Sequence, residues 1–167
     1  MSLAGQRLDP TRYSVIPRTL TFLTRGMKVL LMRIPSGRGA WAGRYNGIGG
    51  HVEPGEDPLS SARREVHEET GLQPDTLRLC GVILVDTGTP PGIALYVFHG
   101  VSSDGEPSPG AEGTAEWVAV DQLSSIPMVE DVPTLLPRVL AGGKGDPPFC
   151  AVYRYDPAGR LSIHFAQ

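Results

Sequence analysis

One segment constrains the fold more than any other, the stretch from Gly50 to Leu72, because its second half has the marked ends of a helix. Asp57 is suited to capping the helix N-terminus, and Pro58 suits the first helical position. Gly71 suits the left-handed residue just past a helix C-terminus. About three and a half turns fit between these marks, since a turn takes about 3.6 residues. We therefore predict a helix that starts at Pro58 and stops before Gly71.

The predicted helix carries an acidic face. Glu65, Glu68 and Glu69 fall within an arc of roughly 100° when each residue advances about 100°. The neighbouring arc carries apolar side chains that are expected to face a core: Leu59, Ala62 and Val66. Like charges three and four residues apart weaken a bare helix, but a hard divalent cation such as Mg²⁺ binds carboxylate oxygens. A metal site is therefore one interpretation, and a solvated acidic helix face is the alternative for such a cluster alone.

The spacing around the acidic face is more specific than the face itself. It fixes nine positions: Gly50, Glu56, Arg64, Glu65, Val66, Glu68, Glu69, Gly71 and Leu72. This spacing matches the Nudix box at every defined position, so the chain is identified as a member of the Nudix hydrolases. Members of that family cleave nucleoside diphosphates linked to another group. The resemblance implies an α/β Nudix fold, a mixed β-sheet sandwiched between α-helices, as a single domain over residues 1–167.

The resemblance also implies the metal chemistry. Mg²⁺, with Mn²⁺ as a substitute, would be held by a set of oxygen donors: Glu65, Glu68, Glu69, the carbonyl of Gly49 and Glu112 of a later polar loop. Glu68 is the predicted base that helps to deprotonate the attacking water. Arg64 can pair with a carboxylate such as Glu56 in the preceding loop. These residues form the predicted catalytic group.

The loop before the box, residues 41–50, is similar to the branch of the family that hydrolyses oxidised purine nucleoside triphosphates. In that branch the asparagine contacts the base, and Asn46 is suited to this because an amide pairs a donor and an acceptor. A role in an Asn-Gly turn is the alternative. Arg33 and Arg44 are the candidates for phosphate contacts, since guanidinium groups match phosphate oxygens.

The same branch has base-contacting acids and a stacking tryptophan in its C-terminal half. Asp131 matches one of those acids, whereas Val132 stands in place of a second acid and Val129 in place of the tryptophan. These departures predict a broader tolerance for bases than in that branch. They leave the predicted metal chemistry untouched.

The predicted function is Mg²⁺-dependent hydrolysis of a nucleoside diphosphate-X bond. The first candidate substrate is a nucleoside triphosphate, cleaved to the monophosphate and diphosphate, with clean-up of oxidised purine nucleotides as a role. ADP-ribose, dinucleoside polyphosphates and capped RNA are the alternatives within the family. A catalytically silent module that binds a nucleotide as a sensor is the alternative of another class.

Composition bounds these predictions. The chain has 167 residues, 40% of them hydrophobic, and a net charge of −3, so DNA binding is not expected. No apolar run approaches the roughly 18 residues of a membrane span, and the first residues lack the apolar segment of a signal peptide. A cytoplasmic protein without a membrane segment is predicted, with Cys80 and Cys150 as buried thiols. The oligomeric state is left open.

The remaining elements follow from periodicity and turn residues. Residues 1–16 are expected to be a loose lead-in. The predicted strands are residues 18–24, 29–33, 77–85, 93–101, 116–120, 149–155 and 161–165. A second helix is expected over residues 130–140, with Pro137 kinking or interrupting it.

Overall fold

Eight strands form one mixed sheet within residues 9, 11–37, 39–110 and 113–166, which the computed structural model describes. The strands are β1 (Val15–Arg25), β2 (Lys28–Arg33), β3 (Tyr45–Asn46), β4 (Thr76–Asp86), β5 (Gly92–Val101), β6 (Thr114–Ala119), β7 (Phe149–Tyr155) and β8 (Leu161–Phe165). The α-helices are α1 (Pro58–Thr70) and α2 (Val132–Ala141), and short 3₁₀ helices cover Gly39–Trp41 and Val120–Ser125.

The strand order is β3-β2-β1-β5-β4-β7-β8, and β6 pairs with β2 outside this path. The pairs β1–β5 and β4–β7 are parallel, whereas the other pairs are antiparallel, so the predicted mixed sheet is confirmed. The predicted hairpin is also present, with Arg25 opposite Lys28. The prediction of a loose lead-in over residues 1–16 is wrong at its last positions, because Val15 and Ile16 pair in parallel with β5. That partner lies far along the chain, so no local pattern reveals it.

The sheet lies between its two helices because neighbouring side chains of a strand point to opposite faces. Leu20 and Phe22 of β1 join the core cluster that contains the buried face of α2. Leu23 instead joins the cluster that contains Val66 of α1. The predicted sandwich of helix, sheet and helix is therefore confirmed.

Two finer predictions are wrong, and one of the two alternatives for Pro137 is excluded. Leu59 is 39% exposed because it lies in the first turn of α1, outside the core cluster. Cys150 is exposed because β7 buries the alternate residues Ala151 and Tyr153, although Cys80 is buried and both thiols are free. Pro137 does not interrupt α2, which runs on to Ala141 with a buried apolar face. Packing of that face stabilises the helix against the loss of one hydrogen bond.

In the described part of the chain, no helix is long and apolar enough to span a membrane.

Candidate active site

The acidic helix α1 begins and ends where its sequence predicts. The Asp57 carboxylate accepts hydrogen bonds from the backbone N–H groups of Leu59 at 2.9 Å and Ser60 at 3.0 Å. Gly71 adopts the left-handed conformation, with φ at 72°, and its N–H donates to the carbonyl of His67. These caps satisfy groups that helix ends otherwise leave unpaired, so they hold the acidic face in register.

Arg64 ties the carboxylates of this region together. It donates two hydrogen bonds of 2.9 Å to Glu56, as predicted, one from Nε and one from Nη2. Its Nη1 donates to Glu65 at 2.8 Å and to Glu68 at 3.1 Å. The hydrogen bond from Arg64 holds the pKa of Glu56 down at about 2. One guanidinium therefore offsets much of the repulsion expected among these acids.

Two glycines let the preceding loop pack closely, Gly49 against β1 and Gly50 against α1. A Cβ atom on Gly49 would collide with the backbone carbonyl of Thr19, and one on Gly50 would collide with the Glu65 carboxylate. Gly110 makes a similar approach, since its Cβ would lie 2.5 Å from the Glu69 carbonyl oxygen. Absence of a side chain at Gly50 and Gly110 lets their loops close on α1.

A cleft of about 860 Å³ opens beside this face. Its helix side, as we name the lining acids of α1 and the glycine pair that precedes the helix, comprises Gly49, Gly50, Glu65 and Glu69. Its β7 side comprises the residues of β7 and of the segment leading into α2: Val129, Asp131, Tyr153 and Tyr155. Asn46 and Trp41 also line the cleft. The structure thus gathers five of the predicted site residues around one cavity: Gly49, Glu65, Glu69, Asn46 and Asp131.

The helix side has the donors that a hard divalent cation requires. Glu65 and Glu69 supply carboxylates, and Glu69 is only 7% exposed. Among the residues that the structure describes, no three His, Cys, Asp or Glu side chains are gathered as a ready metal site. Glu65 and Glu68 turn to Arg64 instead. The donor chemistry nevertheless fits Mg²⁺, which takes oxygen ligands. Glu112 lies outside the described residues.

Five predicted residues lie away from the cleft lining. Arg64 and Glu56 are two of them and pair with each other, and the other three have the following contacts. Glu68 is exposed and bonded to Arg64. The guanidinium of Arg33 lies 5.9 Å from the centre of the Tyr45 ring. Arg44 donates to the carbonyl of Met128 at 3.3 Å. The predicted roles of these three gain no support from this placement.

Asn46 has one role that the structure shows. Its Oδ1 accepts a hydrogen bond of 2.8 Å from the N–H of Gly47, so the side chain supports the Asn-Gly turn. The carboxamide still lines the cleft and keeps further hydrogen-bonding capacity. Contact between Asn46 and a base therefore stays a prediction, in addition to the role of Asn46 in the turn.

The β7 side combines an exposed tyrosine, Tyr155, with a buried tyrosine whose hydroxyl is unsatisfied, Tyr153. Burial raises the pKa of Asp131 above its ordinary value. Tyr153 is 2% exposed, and its hydroxyl has no hydrogen-bond partner in the described part of the molecule. Burial, followed by the nearby charges of Asp131 and Tyr155, raises the pKa of Tyr153. Val129 lines the cleft, whereas Val132 is fully buried in the core.

Sequence reasoning missed several lining residues. Arg18 and His51 both line the cleft, and Nε of Arg18 donates to Nε2 of His51 at 3.1 Å. Glu53 and the tyrosines of the β7 side were missed as well. Arg18 and His51 meet because β1 bonds to the loop before α1, where the Thr19 N–H donates to the Gly50 carbonyl. No local pattern signals a contact across 33 positions.

Comparisons with known sequences identify the family of this chain. The sequence model of the NUDIX domain matches residues 16–139. The oxidized purine nucleoside triphosphate hydrolase of Mus musculus is 32% identical over 138 residues, which cover 82% of this chain and 85% of the mouse protein. Its counterpart from Danio rerio is 37% identical over 87 residues, covering 52% and 56% of the two chains.

Solved structures share the fold. The mutator MutT protein of Bacillus halodurans superposes with a TM-score of 0.75 at 26% identity, covering 90% of this chain and 97% of that one. The NUDIX domain of Shewanella oneidensis NrtR, solved with ADP ribose, gives a TM-score of 0.68 at 13% identity, covering 83% and 94%. The second likeness shows the fold alone. Because the family model spans most of the chain and the mouse relative matches over most of both lengths, the chain belongs to the Nudix family of hydrolases.

Proposed function

We propose that this protein is a Mg²⁺-dependent hydrolase that cleaves nucleoside triphosphates to the monophosphate and diphosphate. Nudix hydrolases generally use a divalent metal and act on small nucleotides, and the Mg²⁺ and the triphosphate are our specific proposals. The observation that carries the proposal is one cleft shared by Glu65, Glu69, Asn46 and Asp131. It combines oxygen donors for a cation with polar groups able to pair with a base. The mouse relative's name agrees with this substrate class.

Glu65, Glu69 and the carbonyl of Gly49 would hold the metal, with Glu68 and Glu112 as further candidates. When bound, the cation neutralises charge on the phosphate oxygens and acidifies the attacking water. The glycine pair keeps the loop close enough for a phosphate chain to approach both the backbone and the carboxylates. The helix side therefore orients the phosphates.

Arg64 holds three acids of this region in place. It bonds to Glu56, Glu65 and Glu68 at once, so each carboxylate is held before substrate arrives. A carboxylate of the cluster then accepts the proton of the attacking water. Glu68 remains our candidate for that base, which requires its side chain to leave Arg64 and turn toward the cleft.

Selection of the base would rest on Asn46 and Asp131. Val129 offers an apolar surface but no ring on which a base could stack. We therefore propose that oxidised purine nucleotides are accepted together with ordinary ones, rather than strongly preferred. A cytoplasmic location and the absence of DNA binding also remain proposals.

The sensor alternative is disfavoured because every glutamate of the box is present. An activity screen distinguishes a nucleoside triphosphate from the alternative substrates, which are ADP-ribose, dinucleoside polyphosphates and capped RNA. Release of diphosphate or monophosphate should be screened over the nucleoside triphosphates, 8-oxo-dGTP, ADP-ribose and a dinucleoside tetraphosphate, with Mg²⁺ and with chelator. We expect Mg²⁺-dependent release of diphosphate from a triphosphate. Turnover of ADP-ribose alone, or no turnover of any of them, would contradict the proposal.

A further inference from the structure

Among the described residues, the cleft lining has few cations for a site that is proposed to hold several phosphates. Its charged lining includes carboxylates from both sides, namely Glu53, Glu65, Glu69 and Asp131. Among the described lining residues, Arg18 is the only lysine or arginine. A polyphosphate brought next to these acids needs positive charge in addition to metal. Arg18 is the side chain placed to supply it.

Arg18 is also available for a ligand. Its Nε bonds to His51, yet in the described part of the chain no carboxylate lies within ion-pairing distance of its guanidinium. Arg64 is the opposite case, since its nitrogens bond to Glu56, Glu65 and Glu68. The two terminal nitrogens of Arg18 form a fork that matches two phosphate oxygens. Among the described residues, these two nitrogens have no carboxylate partner.

His51 fixes the direction of that fork. Its ring nitrogen Nε2 accepts from Nε of Arg18 at 3.1 Å, which leaves the terminal nitrogens for another acceptor. The backbone of His51 is itself held, because its carbonyl accepts from Arg64 Nη2 at 3.0 Å and from the Ser61 hydroxyl at 3.2 Å. The chain from α1 through His51 to Arg18 thus links the fork to the acidic helix.

We propose that Arg18 binds a phosphate group of the substrate and that His51 is a positioning residue that orients the Arg18 guanidinium. The ligand class is a nucleotide with two or more phosphates, so the inference rests on the proposed function. It assigns to Arg18 the contact that sequence reasoning gave to Arg33 and Arg44. It also makes the phosphate site depend on a pair of residues from β1 and the loop before α1.

Binding should be measured with an α,β-imido analogue of dGTP and with inorganic triphosphate, each in Mg²⁺. Arg18→Met should weaken the binding of both probes by roughly ten- to a hundredfold, the scale of losing hydrogen bonds to a charged group. Arg18→Lys keeps the charge without the fork and should recover only part of the affinity that Arg18→Met loses. If Arg18→Met fails to fold, Arg18→Lys still tests the proposal, because it should bind both probes more weakly than wild type. Arg12→Met is the matched control, because Arg12 is exposed and paired with Asp9. It should bind like wild type.

The positioning role is tested by a double-mutant cycle in which substrate concentration is varied. His51→Leu should raise KM several-fold with little change in kcat. Added to Arg18→Met, the same substitution should have no further effect on KM. His51→Gln, which keeps an acceptor, should restore most of the KM. A His51→Leu effect that persists beside Arg18→Met would overturn the positioning role.

The remaining outcomes separate the two proposals. Wild-type affinity in Arg18→Met for both probes would overturn the inference, with the triphosphatase activity intact. A wild-type enzyme that binds inorganic triphosphate through Arg18 but turns over no triphosphate would overturn the proposed function instead. A loss confined to Arg33→Met or Arg44→Met would return the phosphate contact to the residues that the sequence favours.

Discussion

The two sides of the cleft treat carboxylates in opposite ways. Near the helix side, the arginine Arg64 lowers the pKa of Glu56 to about 2, so that acid is ionised at all physiological pH values. On the β7 side, burial raises the pKa of Asp131, which favours its neutral form. The region around α1 therefore carries negative charge that can attract a cation. The other has groups suited to hydrogen bonds with an uncharged base.

The two sides also differ in how complete they are before a ligand arrives. Arg64 already has hydrogen-bond acceptors at Glu56, Glu65 and Glu68. The Tyr153 hydroxyl has none within the described residues, although an unsatisfied buried polar group costs about 1–3 kcal/mol. The helix side is thus organised for chemistry in advance. The β7 side retains one buried hydroxyl, that of Tyr153, which lacks a partner among the described residues and is therefore open to a ligand.

The largest effect should come from the helix side. Glu69→Gln removes a buried carboxylate from the cleft while keeping its shape. We expect turnover to fall by about a hundredfold or more, the scale of losing a preorganised electrostatic contact. Mg²⁺ should also raise the melting temperature of the variant less than that of wild type, because a cation that binds only the folded state stabilises it.

The control for this prediction is Glu106→Gln, since Glu106 is exposed and pairs with Arg25 away from the cleft. Its activity and its response to Mg²⁺ should equal those of wild type. A fully active Glu69→Gln enzyme would remove the metal assignment and with it the contrast between the two sides.

The second effect concerns base recognition. If Asn46 pairs with the base, Asn46→Ala should cost about 1–3 kcal/mol, or roughly ten- to a hundredfold in kcat/KM for the preferred nucleotide. The comparison of 8-oxo-dGTP, dGTP and dCTP checks this, because nucleotides that never use the contact should lose much less. Since Asn46 also bonds to the N–H of Gly47, an equal loss for all three would mean that it only shapes the turn.

The sequence predicts the helix side well because its signals are local. Capping residues, helical spacing and the Arg64–Glu56 pair all lie within a short segment, and the structure shows each of them. Hydrophobic alternation likewise predicts most strands. The parallel pairing of β1 with β5 is not predictable in this way, because its partners are distant in the chain.

The same reason explains the missed site residues. Arg18 and Tyr153 are unremarkable members of strands in the sequence, and only the strand order places both at one cleft. Arg33 and Arg44 stand next to the glycine-rich loop, so chemistry alone favours them as phosphate contacts. The structure gives these two arginines other partners, the Tyr45 ring and the Met128 carbonyl.

A smaller effect tests the β7 side through stability. A raised pKa means that folded Asp131 holds its proton more tightly than the unfolded chain does, so its contribution is favourable below pH 3.8 and is lost as pH rises through the folded pKa. Asp131→Asn should therefore raise the melting temperature at pH 7. The gain over wild type should vanish below pH 3.8. A variant that is less stable than wild type at pH 7 would mean that the carboxylate has a compensating partner.

The smallest effect is expected for Glu56→Gln, because Arg64 keeps Glu65 and Glu68 as partners when Glu56 loses its charge. The pKa of Glu56 is lowered from 4.5 to about 2, so its stabilising contribution is present above pH 4.5 and is lost as pH falls toward 2. The variant should be less stable than wild type at pH 7, and the two unfolding curves should converge between pH 4.5 and about 2. Asp131→Asn should show the opposite order, with the variant the more stable at pH 7. Parallel urea titrations of both variants measure the contrast directly, and the same sign at pH 7 for the two would show that the sides do not differ in the way we infer.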